Sequence, residues 1–269
     1  DDIFTGYRRH YAIRQERWWS GLPLSFRKSL SDITQLLPSS FPLTRRVSKA
    51  FRYAFQDDDY RLISYFLWTD PTLALDLFHP EFRNELTYKN LYGPMLKTLS
   101  HLDPNESSLN RMLYLDCKHF LADHNLNYTD KMGMAAGVEI RVPLLDLNLI
   151  DLANSLPIDM KQNGRIGKWI FKKSMEKLLP YDIIYRPKTG FGVPLRHWLT
   201  TILKPLVDDT LSDKSLINRG IFNPSVVHSM RQADQDGKID AAYTIFSLVC
   251  LELWCRQYID GSFAIDINT

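Results

Sequence analysis

Three stretches of this 269-residue sequence combine residue types that could do chemistry. The first is Asp1-Asp2-Ile3-Phe4-Thr5-Gly6-Tyr7, where adjacent carboxylates precede an apolar pair and a glycine. Carboxylates so placed can offer hard oxygen ligands to Mg2+, which is commonly held by one or two carboxylates together with substrate phosphates. They also suit a plain acidic helix start, since Asp favours the positive end of a helix dipole. The second stretch runs from Tyr128 to Asp146. Its small residues Gly133, Ala135, Ala136 and Gly137 permit close backbone approach to a helix or a ligand, and Glu139 and Arg141 stand among Val138, Ile140 and Val142. On an extended segment both charges share a face. Among apolar neighbours they need partners, either each other or a substrate. The third stretch, Arg186-Pro187-Lys188-Thr189-Gly190-Phe191-Gly192-Val193-Pro194, sets a glycine-containing loop between two prolines. Lys188 in such a loop could swing onto a phosphate, and a donor aimed at developing charge is worth about 2.7–4 kcal/mol. Taken alone, Lys-Thr-Gly reads rather as an exposed loop with idle cations.

Other candidates are weaker. Gly164-Arg165-Ile166-Gly167-Lys168 lacks the spacing and trailing hydroxyl of a phosphate-binding Walker loop and reads as a turn feeding a helix. The seven histidines are dispersed, with no HExxH and no Cys/His cluster, and no Ser–His–Asp set is suggested. His10 could touch a phosphate, but an isolated histidine is more often structural. Arg8-Arg9 reads as solvated face, and Trp18-Trp19 and Trp254 read as core or interface aromatics rather than a base-stacking platform.

The elements that must carry these stretches are mostly helical. From Asp103-Pro104 onward, Leu109, Met112, Leu113, Cys117, Phe120 and Leu121 fall at helical spacing and predict one buried stripe. Asp70-Pro71 opens a helix with proline in its first turn. Asp240 is placed to cap a long final helix through Tyr243, Phe246, Leu248, Leu251 and Trp254 towards Tyr258. Further helices are expected near 45–56, 58–68, 145–155, 168–177 and 223–234. The nearest candidate for a strand is 137–143, while 160–167 reads as a polar connection. One helical body with surface loops is the simplest account, with no internal repeat.

Composition narrows the classes. With 33 Lys+Arg against 31 Asp+Glu, the chain has no basic excess to engage nucleic acid phosphates. The 45% hydrophobic content fits a folded globular chain with a sizeable core. Cys117, Cys250 and Cys255 are too few and scattered for a disulfide framework or a zinc site. They read as buried thiols in a reducing compartment, so a cytoplasmic location is expected. The most apolar window, 241–259, is interrupted by Glu252 and Arg256 and reads as a buried helix, not a membrane span. No signal peptide is visible at the charged start. The sequence opens without Met inside what looks like a functional loop, so a longer native chain is expected. A free ammonium at Asp1 would repel a bound cation there.

Together and in this order, the three stretches resemble the C-terminal part of the synthetase domain of glutamine-hydrolysing asparagine synthetases. Asp1–Tyr7 is similar to that family's Asp-Glu-Leu-Phe-Gly-Gly-Tyr loop. Asp130–Met134 with Glu139–Asp146 is similar to its Asp-Arg-x-Ser-Met and Glu-x-Arg-x-Pro-Phe-Leu-Asp stretch, and Arg186–Pro194 matches Arg-Pro-Lys-x-Gly-Phe-Gly-x-Pro, with Trp198 in place. Asp116 through Leu121, Lys168, Leu179-Pro180 and Glu252-Leu253-Trp254 agree more loosely. The resemblance spans about residues 1–258. Asp2, Thr5, Lys131 and Gly133 depart from the pattern, where the family has Glu, Gly, Arg and Ser.

The resemblance implies a mainly α chain: the helical C-terminal portion of an α/β adenine-nucleotide hydrolase-like synthetase domain of the PP-loop type. Its parallel-sheet front half, Ser-Gly-Gly-x-Asp-Ser pyrophosphate loop and N-terminal glutaminase lie outside residues 1–269. It further implies ATP and Mg2+ as cofactors and adenylation of the aspartate side chain with release of pyrophosphate. Ammonia derived from glutamine then attacks the adenylate. Residue by residue, Asp1 and Asp2 correspond to the metal site. Lys188, Gly190 and Arg141 correspond to the ATP and pyrophosphate site, and Lys188 would stabilise charge during adenylation. Tyr7 and Glu139 correspond to a pair that handles the nucleophile's proton in related β-lactam-forming enzymes. The implied partners are these small molecules and the front half of the same enzyme, with neither nucleic acid nor membrane, and a homodimer is compatible. The departures equally suit relatives that amidate another carboxylate, such as a sugar acid or a peptide. A non-catalytic helical interaction module is the alternative from a different class. The 269 residues alone are expected to lack synthetase activity.

Overall fold

The computed structural model describes residues 1–37, 42–187 and 192–261. In chain order the α-helices are α1 (Arg8–Gln15), α2 (Leu24–Gln35), α3 (Pro42–Phe51), α4 (Asp58–Ser64), α5 (Pro71–Asp76), α6 (Pro80–Arg83), α7 (Tyr88–Leu99), α8 (Ser108–Leu115) and α9 (Asn127–Ala135). A π-helix, Asp116–Leu126, joins α8 to α9. There follow α10 (Leu147–Ser155), α11 (Ile158–Lys161), the two-residue strands β1 (Gln162–Asn163) and β2 (Ile166–Gly167), α12 (Trp169–Met175), α13 (Tyr181–Tyr185), α14 (Leu195–Thr200), α15 (Lys204–Thr210), α16 (Asp213–Arg219), α17 (Pro224–Gln235) and α18 (Ala242–Tyr258). The mainly α expectation holds. Where one helical body was the simplest account, the chain folds as two compact units: residues 1–36, 47–65 and 92–189, and residues 37–46, 66–91 and 190–269.

The first unit carries the candidate site. Its helices α1 and α8 pack against each other, and Ile13 of the first and Leu109, Met112 and Leu113 of the second are buried. Between α1 and α4, buried Glu16 accepts from Arg61 Nε at 2.6 Å and from the Tyr65 hydroxyl at 2.8 Å. A second apolar cluster centres on Ile3, Phe4 and Ala153, with Cys117, Ile150 and Phe171 against it. The Phe4 and Phe171 rings stack at 5.7 Å. Fully burying an aliphatic or aromatic side chain of this size contributes about 1.5–3 kcal/mol, so Ile3 and Phe4 anchor the acidic loop to the body.

The second unit is built on α14 to α18, with Leu195, Leu199, Val207, Leu211, Val227, Met230 and Ile245 in its core. Asp70 caps α5 as expected, accepting from the Thr72 amide. Asp240 does not cap α18; it pairs with Arg196, and the helix starts after Ala241 without a side-chain cap. The buried face of α18 is Ala242, Ile245, Leu248, Val249, Glu252 and Cys255, while Tyr243, Phe246 and Trp254 face outward. The expected helix is present, but its apolar surplus leaves a second face in solvent.

Other expectations are corrected. α8 begins after Ser107, whose hydroxyl accepts from the Asn110 amide, four residues beyond Asp103-Pro104. The stretch 137–143 forms no strand; the strands pair across Asn163 and Ile166, with Gly164 turning at φ +55°. Trp18 is 71% exposed, Cys250 is exposed and Arg9 is half-buried in an ion pair. No helix among the described residues is long and apolar enough to cross a membrane.

Candidate functional site

Asp1–Gly6 forms a tight loop ahead of α1, not an acidic helix start. Thr5 takes a left-handed conformation, φ +71°, which side chains with a branched Cβ rarely adopt. Its fully buried hydroxyl donates to the Lys161 carbonyl at 3.1 Å and accepts the Lys168 amide at 3.2 Å, while the Phe4 carbonyl accepts the same amide at 3.0 Å. Gly6 follows at φ +143°, and a Cβ there would lie 2.0 Å from Asp1 Oδ1, so only glycine lets the loop close on the carboxylate. The hairpin β1–β2 delivers Lys168 against this loop, also in a left-handed conformation at φ +56°. Gly167 eases the approach, because a Cβ on it would meet Thr5 Oγ1 at a tight 3.1 Å.

Lys168 Nζ then lies 2.6 Å from Asp1 Oδ1. Burial pulls the Lys168 ammonium below the usual lysine value, with Asp2 pulling the other way. Asp2 is itself buried, and its Oδ1 accepts no hydrogen bond. A desolvated carboxylate oxygen left without a donor is costly, and hard oxygens of this kind suit Mg2+. No group of three or more His, Cys, Asp and Glu that could hold a metal occurs among the described residues. Asp1 and Asp2 therefore fit an ion that takes its remaining ligands from phosphates and water.

These groups open on a cavity of about 410 Å³ whose walls include Asp1, Asp2, Lys168, Asn125, Arg141 and Phe171. Leu121, Leu126, Val142, Leu144 and Leu145 supply much of its apolar lining. Tyr7 and Glu139 do not line it, but each is hydrogen-bonded to a residue that does. The Tyr7 hydroxyl accepts from Asn125 Nδ2 at 3.4 Å. Burial, with Asp2 second, raises the phenol's pKa far above its usual value, so Tyr7 stays protonated at neutral pH. Glu139 engages Arg141 in a fork, Nε to Oε1 at 3.0 Å and Nη2 to Oε2 at 3.4 Å.

The sequence expectation that these two charges share a face holds, but their apolar neighbours do not bury them. Val138, Ile140 and Val142 are themselves exposed, and the pair is open to solvent. Such a pair adds little stability, which leaves Arg141 free to exchange partners at modest cost. Lys188 and Gly190 lie outside the described residues. Of the predicted site residues, the structure thus brings Asp1, Asp2 and Arg141 to one cavity, with Tyr7 and Glu139 in contact with its wall.

Sequence reasoning left Lys168 as a loose agreement and missed Asn125. The first had a signal in Gly167-Lys168; the second had none, because its placement depends on the π-helix. Cys117, whose thiol lies 3.6 Å from the Asp2 carbonyl, is pushed up to about 11, first by burial and then by Asp2 and Asp116, and is no nucleophile at neutral pH. A larger cavity of about 560 Å³ in the second unit is lined by Lys214, Arg219 and Arg256 facing Asp209, Glu252 and Asp260. Arg219 and Arg256 both bind Glu252, so these two cations are neutralised from within.

The sequence of the chain that carries this loop and hairpin is similar to known proteins. The sequence model of the asparagine synthase family matches residues 1–256, and the chain belongs to that family. A Mycobacterium bovis protein provisionally named asparagine synthetase (glutamine-hydrolysing) is 24% identical over 269 residues, which is all of this chain and 40% of the relative. Asparagine synthetase (glutamine-hydrolysing) 1 of Bacillus subtilis is 24% identical over 254 residues, 94% of this chain and 38% of the relative. A shorter match, 32% identical over 121 residues, joins 40% of the chain to 19% of asparagine synthetase (glutamine-hydrolysing) 3 of the same bacterium. The chain thus spans about two fifths of the length of the relatives it matches over most of its own length. No solved structure matches.

Proposed function

We propose that this chain supplies the helical part of an ATP-dependent amide ligase that adenylates a carboxylate and amidates it with ammonia. In the first step an acceptor carboxylate oxygen attacks the α-phosphorus of ATP, and the bond to pyrophosphate breaks. In the second, ammonia attacks the acyl carbon, AMP leaves and the extra proton passes to a base. Aspartate as acceptor and glutamine as the ammonia source are the reading the relatives' names favour. The observation that carries the proposal is the convergence of Asp1, Asp2, Lys168 and Arg141 on one cavity with largely apolar walls.

Asp1 and Asp2 would hold Mg2+, which when bound neutralises charge on the departing pyrophosphate. Lys168 already places a cation at Asp1, so it is positioned to turn to a phosphate oxygen. Lys188 and Gly190, by the family correspondence, would contact the phosphates, and Arg141 would add a guanidinium contact. Tyr7, held protonated, can pass a proton only by giving up its own as it receives another, which assigns the final acceptor to a carboxylate such as Glu139. The exposed row Val138, Ile140, Val142, Leu144 and Leu147 suits packing against the front half of the longer enzyme. A cytoplasmic setting and a homodimer fit this reading.

The test is ATP–pyrophosphate exchange by the full-length protein, with aspartate compared against sugar acids and peptides. Exchange dependent on aspartate is expected, and Lys188→Ala should abolish it while leaving glutamine hydrolysis intact. Exchange only with another acid would move the acceptor. No exchange with any carboxylate would refute the ligase reading, and unchanged pyrophosphate release by Lys188→Ala would remove that lysine from the mechanism.

A further inference from the structure

We infer that Asp116, acting through His10 and Arg9, is the positioning residue that aims the Tyr7 phenol at the cavity, and that the π-helix it begins exists to complete that clamp. The inference rests on the proposed amidating role of Tyr7. His10 is fully buried, and its Nδ1 lies 3.4 Å from the Tyr7 amide. An amide N–H can only donate, so Nδ1 is the acceptor, and the ring proton sits on Nε2. Nε2 is 2.6 Å from Asp116 Oδ2, and the carboxylate can only accept, so the tautomer is fixed from both ends. Burial lowers the His10 pKa and keeps the imidazole neutral, as this arrangement needs.

The other Asp116 oxygen accepts from Arg9, whose guanidinium lies 4.3 Å from the Tyr7 ring centroid and 4.6 Å from that of Phe120. Tyr7 meets His10 edge-on at 5.3 Å and Phe120 edge-on at 5.6 Å. Its backbone and its ring are therefore both referred to one fully buried carboxylate. Asn125, which donates to the phenol oxygen, completes the set from the same element as Asp116 and Phe120.

That common origin requires the π geometry. In an α-helix of about 3.6 residues per turn, the nine-residue step from Asp116 to Asn125 turns through roughly 900°, placing them on opposite faces. With i→i+5 bonding and about 4.4 residues per turn, the same step comes within roughly 20° of whole turns. Phe120 falls close to both. The widened turn brings carboxylate, ring and amide to one side, where Tyr7 lies.

The experiment uses the full-length protein, with ammonia as nucleophile so that glutamine hydrolysis plays no part. Amide formation and the melting temperature are measured for Tyr7→Phe, Asp116→Asn and the double variant. Tyr7→Phe should lower kcat at least tenfold. Asp116→Asn, which sets an amide N–H donor against Arg9 or His10, should lower kcat about tenfold, with KM for ATP and aspartate changed by less than about twofold. The double variant should be no slower than Tyr7→Phe, because both remove one aligned phenol. Multiplying losses, or a loss in KM alone, would overturn the inference while leaving the Tyr7 reading intact. Undiminished kcat in Tyr7→Phe would overturn that reading, and the inference with it. Should Asp116→Asn fail to fold, Phe120→Leu removes the supporting ring without disturbing the buried carboxylate, and the same cycle with Tyr7→Phe decides by the same criterion.

Discussion

Thr5 offers a test of the loop that can be worked through in numbers. A non-glycine residue in the left-handed region costs about 1–2 kcal/mol, and Thr5 stands there at φ +71°. Two hydrogen bonds offset this, to the Lys161 carbonyl and from the Lys168 amide, each contributing about 0.5–1.5 kcal/mol net. Thr5→Ala keeps most of the backbone cost and loses both bonds, so it should destabilise by about 1–3 kcal/mol. Thr5→Gly loses the same bonds but relieves the backbone, leaving a net change of roughly 0–1 kcal/mol. Glycine should therefore be more stable than alanine here by about 1 kcal/mol, the reverse of a helix or strand interior, where glycine is worse by about 0.5–1 kcal/mol. Urea unfolding followed by circular dichroism resolves such a difference as a midpoint shift of about 0.3–1 M. An alanine variant as stable as the glycine one would refute the left-handed assignment, and with it the account of how the loop closes on Asp1. The Phe4 bond to the Lys168 amide is main-chain only, so neither substitution should detach the hairpin.

Three other outcomes are expected. A Cβ on Gly133 would lie 2.7 Å from the Val138 carbonyl and 2.9 Å from Ile140, so Gly133→Ala should cost about 1–3 kcal/mol by overpacking and displace the Glu139–Arg141 segment; amide exchange across 138–141 checks this. Glu16→Leu leaves the buried Arg61 with the exposed Asp58 as its remaining carboxylate and the Gln56 carbonyl at 3.0 Å, so it should lose about 3 kcal/mol, the low end for a broken buried pair, whereas Glu16→Leu with Arg61→Met should lose less; comparative unfolding midpoints decide. His10 has a folded pKa below its unfolded value, so its contribution is complete above about pH 6.5 and declines as pH falls, by up to about 1.4 kcal/mol per pH unit. Stability measured at pH 7.5 and 5.5 should fall more in the wild type than in His10→Gln, and parallel losses would contradict a neutral buried imidazole.

Much of the helical framework is legible from local signals. Asp70-Pro71 opens α5 because its carboxylate reaches the Thr72 amide two residues on, an interaction decided within a single turn. The windows near 145–155, 168–177 and 223–234 likewise coincide with α10, α12 and α17. What local patterning misjudges is partnership across the chain. Asp240 has the chemistry of a cap but meets Arg196 instead, and the apolar outer face of α18 looks buried to any reading based on composition. The division into two units follows from which segments pack together, a long-range property that periodicity does not encode.

The site shows the same split more sharply. The adjacent carboxylates of Asp1 and Asp2 show in their residue types, whereas Arg141 enters the site by the family resemblance; all three line one cavity. Asp116 and Asn125 were not legible, for a physical reason. The stripe Leu109, Met112, Leu113, Cys117, Phe120 and Leu121 was read with the α period throughout, and that reading holds only as far as Leu115. Beyond it the backbone changes to i→i+5 bonding, and every later face assignment rotates. Long π segments are poorly bonded and rare, so one persists only where tertiary contacts favour it. Here those contacts are a buried carboxylate bound to a histidine and an arginine, and an aromatic ring under a tyrosine. Local preference fails where tertiary contacts override it, and in this chain the override begins at Asp116, the residue to which the backbone and ring of Tyr7 are both tied.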